Sequence, residues 1–155
     1  MEALARLYRS SVTAVGPASY TEEQVASWAA FPDEREAFRA FVLGPTTLVA
    51  HAHGTIVGFG GVTVAGRVAS LYVHPEHGRQ GVATALLQAL MDRARAQGIR
   101  RLRTEASVFS RPVFERMGFS LDEVEVVERR GAIFQRYRMS LTLEMARDPS
   151  SVTPG

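Results

Sequence analysis

Between residues 83 and 94, Ala83, Leu86, Leu87, Leu90, Met91 and Ala94 recur at the i, i+3, i+4, i+7, i+8, i+11 spacing of a helix with one buried face. Gly98 suits the position just past such a helix, and Arg93 and Arg95 complement the negative end of its dipole. Extended segments flank it at 67–73 (RVASLYV) and 100–106 (RLRTEAS). Two strands joined through one helix are most simply parallel neighbours in a βαβ unit.

The junction into this helix, HPEHGRQGVA, is crowded with Gly78, Gly81 and Ala83 in a G-x-x-G-x-A spacing. The first N–H groups of a helix have no internal partners and the macrodipole adds positive potential, so such an end accepts phosphate readily. The glycines let the backbone itself touch a ligand, and Arg79 can supply charge. Such a junction either holds an anion or only turns the chain from strand to helix. It is neither the dinucleotide fingerprint G-x-G-x-x-G nor the P-loop, whose G-K-[ST] ending this lysine-free chain cannot supply.

Upstream, Leu4, Leu7, Tyr8 and Val12 fall at helical spacing. After the GPASY break, Thr21 with Gln24 three residues on marks a second helix start, so Met1 to Ala30 reads as helix, loop, helix. Segment 46–64 is rich in β-branched and small residues and reads as an antiparallel pair reversed at His53-Gly54. Downstream, SRPVFERMGF reads as a short helix capped by Ser110 and closed by Gly118. The alternation through Ile133, Gln135, Tyr137, Met139 and Leu141 predicts a final hairpin turning near Arg130-Gly131. The expected organisation is one domain over residues 1–143 and a flexible tail over 144–155, with no internal repeat.

Composition narrows the function classes. A chain of 155 residues can bury a core of its own. Zero cysteines exclude disulfides, thiolate metal sites and cysteine nucleophiles, in agreement with a reducing compartment. The opening MEALARLYRSS includes an acid, unlike a signal peptide, and no run approaches the ~18 apolar residues of a membrane span. A soluble, cytoplasmic protein is expected. The formal charge is +2 although the pI is about 9.5, because all 18 basic residues are arginine. Those arginines are interleaved with acids, which reads as solvated surface, so no nucleic-acid partner is expected.

Taken together, the order helix pair, β-hairpin, strand, VHPEHGRQGVATALL, strand, RPVFERMGF, hairpin resembles the GNAT superfamily of acyl-CoA-dependent N-acetyltransferases over residues 4–143. The resemblance implies an α+β fold: a mixed, mostly antiparallel central sheet with helices on both faces and a splayed parallel strand pair that holds the cofactor. It implies acetyl-CoA as co-substrate, with Leu71 and Val73 offering backbone groups to the pantetheine and thioester. Arg79, Gln80, Gly81, Val82, Ala83 and Thr84 would cradle the pyrophosphate. Gly78 departs from the pattern, since the position three before Gly81 is usually arginine or glutamine in the family. The family also opens with a strand before its first helix, whereas here a helix is read almost from Met1.

The implied reaction is direct attack of a primary amine, on a small molecule or a peptide, on the acetyl thioester. The backbone N–H of Val73 would stabilise the oxyanion. The family's usual proton donor is a tyrosine at the position of Phe114, which has no proton to give. Tyr20, Tyr72 and Tyr137 are substitutes that sequence does not place, and a water would also serve a thiolate leaving group. Ser107, where the family often has asparagine, either contacts the cofactor and relays a proton or caps the next helix. His51 and His53 share a strand face, but no third ligand is spaced to complete a site, so no metal is expected. His53 suits the turn instead. His74 and His77 are loop residues or phosphate contacts, and Glu105 is an arginine partner or a base acting through water. Trp28, Tyr20 and Phe31 belong either to core or to one wall of the acceptor cleft. The competing function is a non-catalytic acyl-CoA-binding or regulatory module. The alternating final strands could also pair two copies into a homodimer.

Overall fold

In the computed structural model of the protein, which describes residues 1–144, five α-helices and six strands follow one another. Their order is α1 (Glu2–Val15), α2 (Glu22–Ala29), α3 (Arg35–Leu43), β1 (Thr46–Ala52), β2 (Thr55–Val62), β3 (Arg67–Val73), α4 (Val82–Ala96), β4 (Arg101–Ala106), α5 (Arg111–Arg116), β5 (Ser120–Arg129) and β6 (Ala132–Thr142). The strands form one sheet in the order β1-β2-β3-β4-β6-β5, parallel only between β3 and β4. The expected tail lies outside the described residues from position 145 onward.

Each sheet face has its own apolar layer. On one face α4 and α5 bury Leu87, Leu90 and Phe114 against Leu102 and Met139. On the other, α1 and α3 bury Tyr8, Val12, Phe38 and Val42 against Phe59. Fully burying such a side chain contributes about 1.5–3 kcal/mol. Gly58 and Gly60 of β2 lie under α4, where an added Cβ would come within 3.0 Å of methyls of Leu86 and Leu90. The helix therefore sits close over the strand.

Helix α3 was not read from the sequence, although Phe38, Phe41 and Val42 keep the i, i+3, i+4 spacing of one face and both Phe38 and Val42 are buried. The first hairpin turns at His53 (φ 52°) and Gly54 (φ 79°), the last at Arg130 (φ 49°) and Gly131 (φ 79°). Both have the two positive φ values of a type I′ turn, which matches the twist of the strands it joins.

The parallel pair departs from a regular ladder in a way that matters for function. Strands β3 and β4 pair only at Arg67↔Arg103 and Val68↔Thr104. At this narrow end the Arg103 N–H donates to Gly66 O at 2.9 Å, and the Thr104 hydroxyl donates to Val68 O at 2.9 Å. Next to it β3 carries a bulge, because its pairing with β2 passes from Ser70 to Val68 and skips Ala69. A bulge bends a strand and re-aims the residues beyond it. Past the bulge the His74 N–H donates to Val57 O at 2.8 Å. The two-residue alternation of a strand then turns Ser70 and Tyr72 main-chain groups toward β2 and those of Leu71 and Val73 into the gap beside β4.

Candidate active site

The gap opens into a cavity of about 880 Å³ walled by β3, the start of α4, the β4–α5 turn, α1, α2 and the tip of the β5–β6 hairpin. Leu71, Val73, Arg79, Ala83 and Ser107 line it. Gln80, Gly81 and Val82 line instead a second hollow, of about 770 Å³, between β1 and α4. Thr84 lines neither and is half-buried in the first turn of α4.

At the mouth of the gap, Pro75–His77 makes a single tight turn, and His74 Nδ1 accepts from the Glu76 N–H at 3.2 Å. That contact gives His74 a structural task. Beyond it Arg79 (φ 63°) and Gly81 (φ 80°) both take left-handed backbone. A left-handed residue followed by a right-handed one, as at Gly81 and Val82, curls successive N–H groups into an anion-binding concavity. No atom lies within 4 Å of a Cβ placed on Gly81, so its backbone angle alone calls for glycine and the loop stays open above it.

The end of α4 is left without a cap: no side chain bonds its first N–H groups and no acidic residue stands in its first turn. Helix α2 is finished differently. There Thr21 Oγ1 accepts from the Gln24 N–H at 3.1 Å, and Gln24 Oε1 accepts from the Thr21 N–H at 2.9 Å. The uncapped, positively polarised end of α4 beside Arg79 thus suits an anionic diphosphate, and the unpaired main chain of Leu71 and Val73 suits an extended amide chain. These are the two parts of coenzyme A that precede its thiol, so the residues present fit that group.

Ser107 caps the helix after β4, in place of Ser110. Helical hydrogen bonding starts one turn before α5, with the Arg111 N–H donating to Ser107 O at 2.9 Å. The orphaned donors therefore fall on Phe109 and Ser110, and their N–H groups donate to Ser107 Oγ at 3.2 and 3.1 Å. Ser110 Oγ accepts from the Ser107 N–H at 3.0 Å and bonds nothing in α5. Phe114 is 2% exposed and meets Phe119 edge-on at 5.0 Å, which makes it a core residue.

The far wall of the cavity is aromatic. Tyr20 from the α1–α2 loop, Trp28 of α2, Phe109 after β4 and Phe134 of β6 converge there. Tyr8 donates to Trp28 O at 3.1 Å, and its ring lies 4.6 Å from that of Tyr72. Burial lifts the pKa of Tyr8 far above the ordinary tyrosine value. It also lifts Tyr72, partly offset by the neighbouring side chains of Trp28 and Tyr8. Tyr20 is raised by burial too, partly offset by a backbone hydrogen bond from Val108. All three hydroxyls are protonated at neutral pH.

Two carboxylates of the wall are already engaged. Glu105 accepts from Arg67 Nε at 2.9 Å, and Glu34 from Arg130 at 3.0 Å. Arg130 also donates to Ser27 O at 2.5 Å, which ties the hairpin tip to α2. Tyr137 lies outside the cavity, under the Arg111 guanidinium at 4.6 Å, and donates to Gln135 Oε1 at 3.3 Å. His51 and His53 are exposed on β1 and in its turn. Among the described residues no group of three or more His, Asp or Glu side chains is placed to hold a metal, and no helix is long and apolar enough to cross a membrane.

Glu34, Phe109, Arg130 and Phe134 were missed as cavity residues. The signal for Phe109 was its place two residues past Ser107. For Phe134 it was the period-two alternation of the last strand, which puts it on the face opposite Tyr137.

Residues 17–141 match the family model described as an acetyltransferase (GNAT) domain. The uncharacterised N-acetyltransferase YafP of Escherichia coli (strain K12) is 30% identical over 136 residues, covering 88% of this chain and 85% of that protein. A solved GCN5-related N-acetyltransferase of Rhodopseudomonas palustris superimposes with a TM-score of 0.87 at 29% identity, over 92% of this chain and 90% of that one. The PaiA N-acetyltransferase of Thermoplasma acidophilum, solved in complex with coenzyme A, shares the fold with a TM-score of 0.72 at 19% identity, over 92% of each chain.

Proposed function

The chain belongs to the GNAT family of acetyltransferases, and from that premise we propose that it transfers the acetyl group of acetyl-CoA to a primary amine of a small molecule or peptide by direct attack. The observation that carries this reading is the splay of β3 from β4 past their two paired positions, with the uncapped end of α4 at its mouth. Leu71 and Val73 would bind the pantetheine arm through their main chain. Arg79, Gln80, Gly81, Val82, Ala83 and Thr84 would hold the pyrophosphate, and Ser107 would contact the arm from the end of β4. The Val73 N–H would stabilise the oxyanion as the thioester is attacked, the type of contribution whose removal costs about 10²–10³ in kcat.

The acceptor reaches the thioester from the aromatic side of the cavity, between α2 and the hairpin tip. The attacking nitrogen must arrive uncharged. Because Glu105 and Glu34 are each paired with an arginine, they serve the shape of that wall, and water carries the amine proton away.

The test has two parts. Acetyl-CoA or CoA at a hundred-fold excess over Kd is expected to stabilise the fold by about 2.7 kcal/mol, a rise of roughly 5–10 °C in Tm. An amine panel with a free-thiol readout is expected to release CoA. Absence of both thermal protection and calorimetric binding would sink the cofactor assignment. Tight binding without turnover of any amine would assign the chain instead to a non-catalytic acyl-CoA-binding module, the reading that the buried Phe114 favours.

A further inference from the structure

We propose that Tyr20 is the proton donor to the departing CoA sulfur, the role that Phe114 cannot fill; the proposal rests on the acyl-CoA reading above. The chain has four tyrosines, and their surroundings separate them. Tyr8 is 2% exposed and commits its hydroxyl proton to Trp28 O. Tyr137 gives its own to Gln135 outside the cavity. Tyr72 also lines the cavity, but its ring lies on the sheet face covered by α1, packed against Tyr8 and Phe59 at 4.6 and 5.5 Å. Tyr20 alone reaches from the α1–α2 loop to the β4–α5 turn beside Ser107, where its ring meets that of Phe109. Among the described residues no group accepts the Tyr20 hydroxyl proton.

The ring is also held in place. Trp28, Phe109 and Phe134 pack edge-on around it with centroids at 5.6, 5.4 and 5.4 Å, one each from α2, the β4–α5 turn and β6. The Tyr20 N–H donates to Gly16 O at 2.8 Å, which fixes the loop that carries it. A donor clamped on three sides loses little further freedom when it acts. Ser107, the other hydroxyl near this point, has its oxygen engaged by two N–H groups and lies 3.3 Å from Ser110 Oγ. It shapes the turn and lines the cavity, and leaves the proton-donor role to Tyr20.

In the step itself the amine nitrogen bonds to the thioester carbon. When the C–S bond breaks, its electron pair goes to sulfur, which takes the Tyr20 proton. The proton lost by the amine passes to water, and water reprotonates the tyrosinate. Like any tyrosine at neutral pH, Tyr20 is protonated beforehand and enters the step as an acid.

A hydroxyl aimed at sulfur also stabilises a bound thiolate, and that gives a readout independent of any acceptor. The thiol of CoA bound to the wild-type protein, followed by the ultraviolet absorbance of its thiolate, is expected to titrate about one pH unit below the ordinary ~8.5. Tyr20→Phe, which keeps the aromatic contacts, is expected to return it to ~8.5 while CoA and desulfo-CoA still bind. Tyr137→Phe is expected to change nothing. With any amine that is turned over, Tyr20→Phe should lower kcat by roughly 10²-fold or more and leave KM nearly unchanged. Equal thiol titration in wild type and Tyr20→Phe would overturn the assignment, as would a change produced by Tyr72→Phe instead. Failure of the wild type to bind CoA would overturn the acyl-CoA reading itself, and the proposal with it.

Discussion

At Gly66 the chain passes from β2 to β3 with φ 91°, and an added Cβ would lie 2.4 Å from Arg101 O. The same residue's carbonyl accepts from Arg103 and so holds the narrow end of the gap. Gly66→Ala combines left-handed strain with a backbone clash, and we expect it to cost at least ~2 kcal/mol. A urea midpoint within ~0.5 kcal/mol of wild type would refute this. The sequence marks Gly66 as a break in an apolar run. What it cannot show is the carbonyl of a residue 35 positions later standing where a side chain would go. The same limit applied to Ser107 and Ser110. Either serine is a plausible cap in a string of letters, and the choice between them lies in where helical hydrogen bonding begins.

Among the elements, α2 shows how local grammar supports a distant site. Its start is a Thr21/Gln24 capping box, legible as T-x-x-Q and present as two reciprocal bonds. Downstream, Gln24 Nε2 donates to Ile133 O at 2.7 Å and Ser27 Oγ to Arg129 O at 2.6 Å, so the helix braces the hairpin tip that closes the cavity. Thr21→Ala removes one side of the box and is expected to lower stability by about 1 kcal/mol, or roughly 2–4 °C in Tm. Hydrogen exchange should quicken in α2 and at the hairpin tip together. Acceleration confined to residues 21–24 would show that the brace does not transmit. By contrast, β3 was legible as a strand but its bulge was not, since the skipped Ala69 is defined by its partners on β2.

For the whole molecule, the aromatic layer beneath α1 and α3 links folding to alkaline pH. Tyr8 and Tyr72 are both raised above the ordinary tyrosine pKa of about 10, chiefly by burial. Below that pH both states keep these protons and the stability is intact. Above it the unfolded chain ionises while the folded one does not, so the unfolded state binds fewer protons and stability falls as pH rises. The nearly inaccessible Tyr8 adds up to ~1.4 kcal/mol per pH unit to that slope. Tyr8→Phe should therefore flatten the decline in denaturation free energy between pH ~10 and ~11. An unchanged slope would show that Tyr8 ionises freely in the folded state. By itself the sequence determined the strand–helix–strand unit, both hairpin turns and the glycine junction before α4, because each depends on spacing along a few neighbouring residues. The tertiary structure decided where β3 and β4 part, which serine caps and which tyrosines line the cavity. Those outcomes depend on groups far apart in the chain that meet only when the two apolar layers close on the sheet.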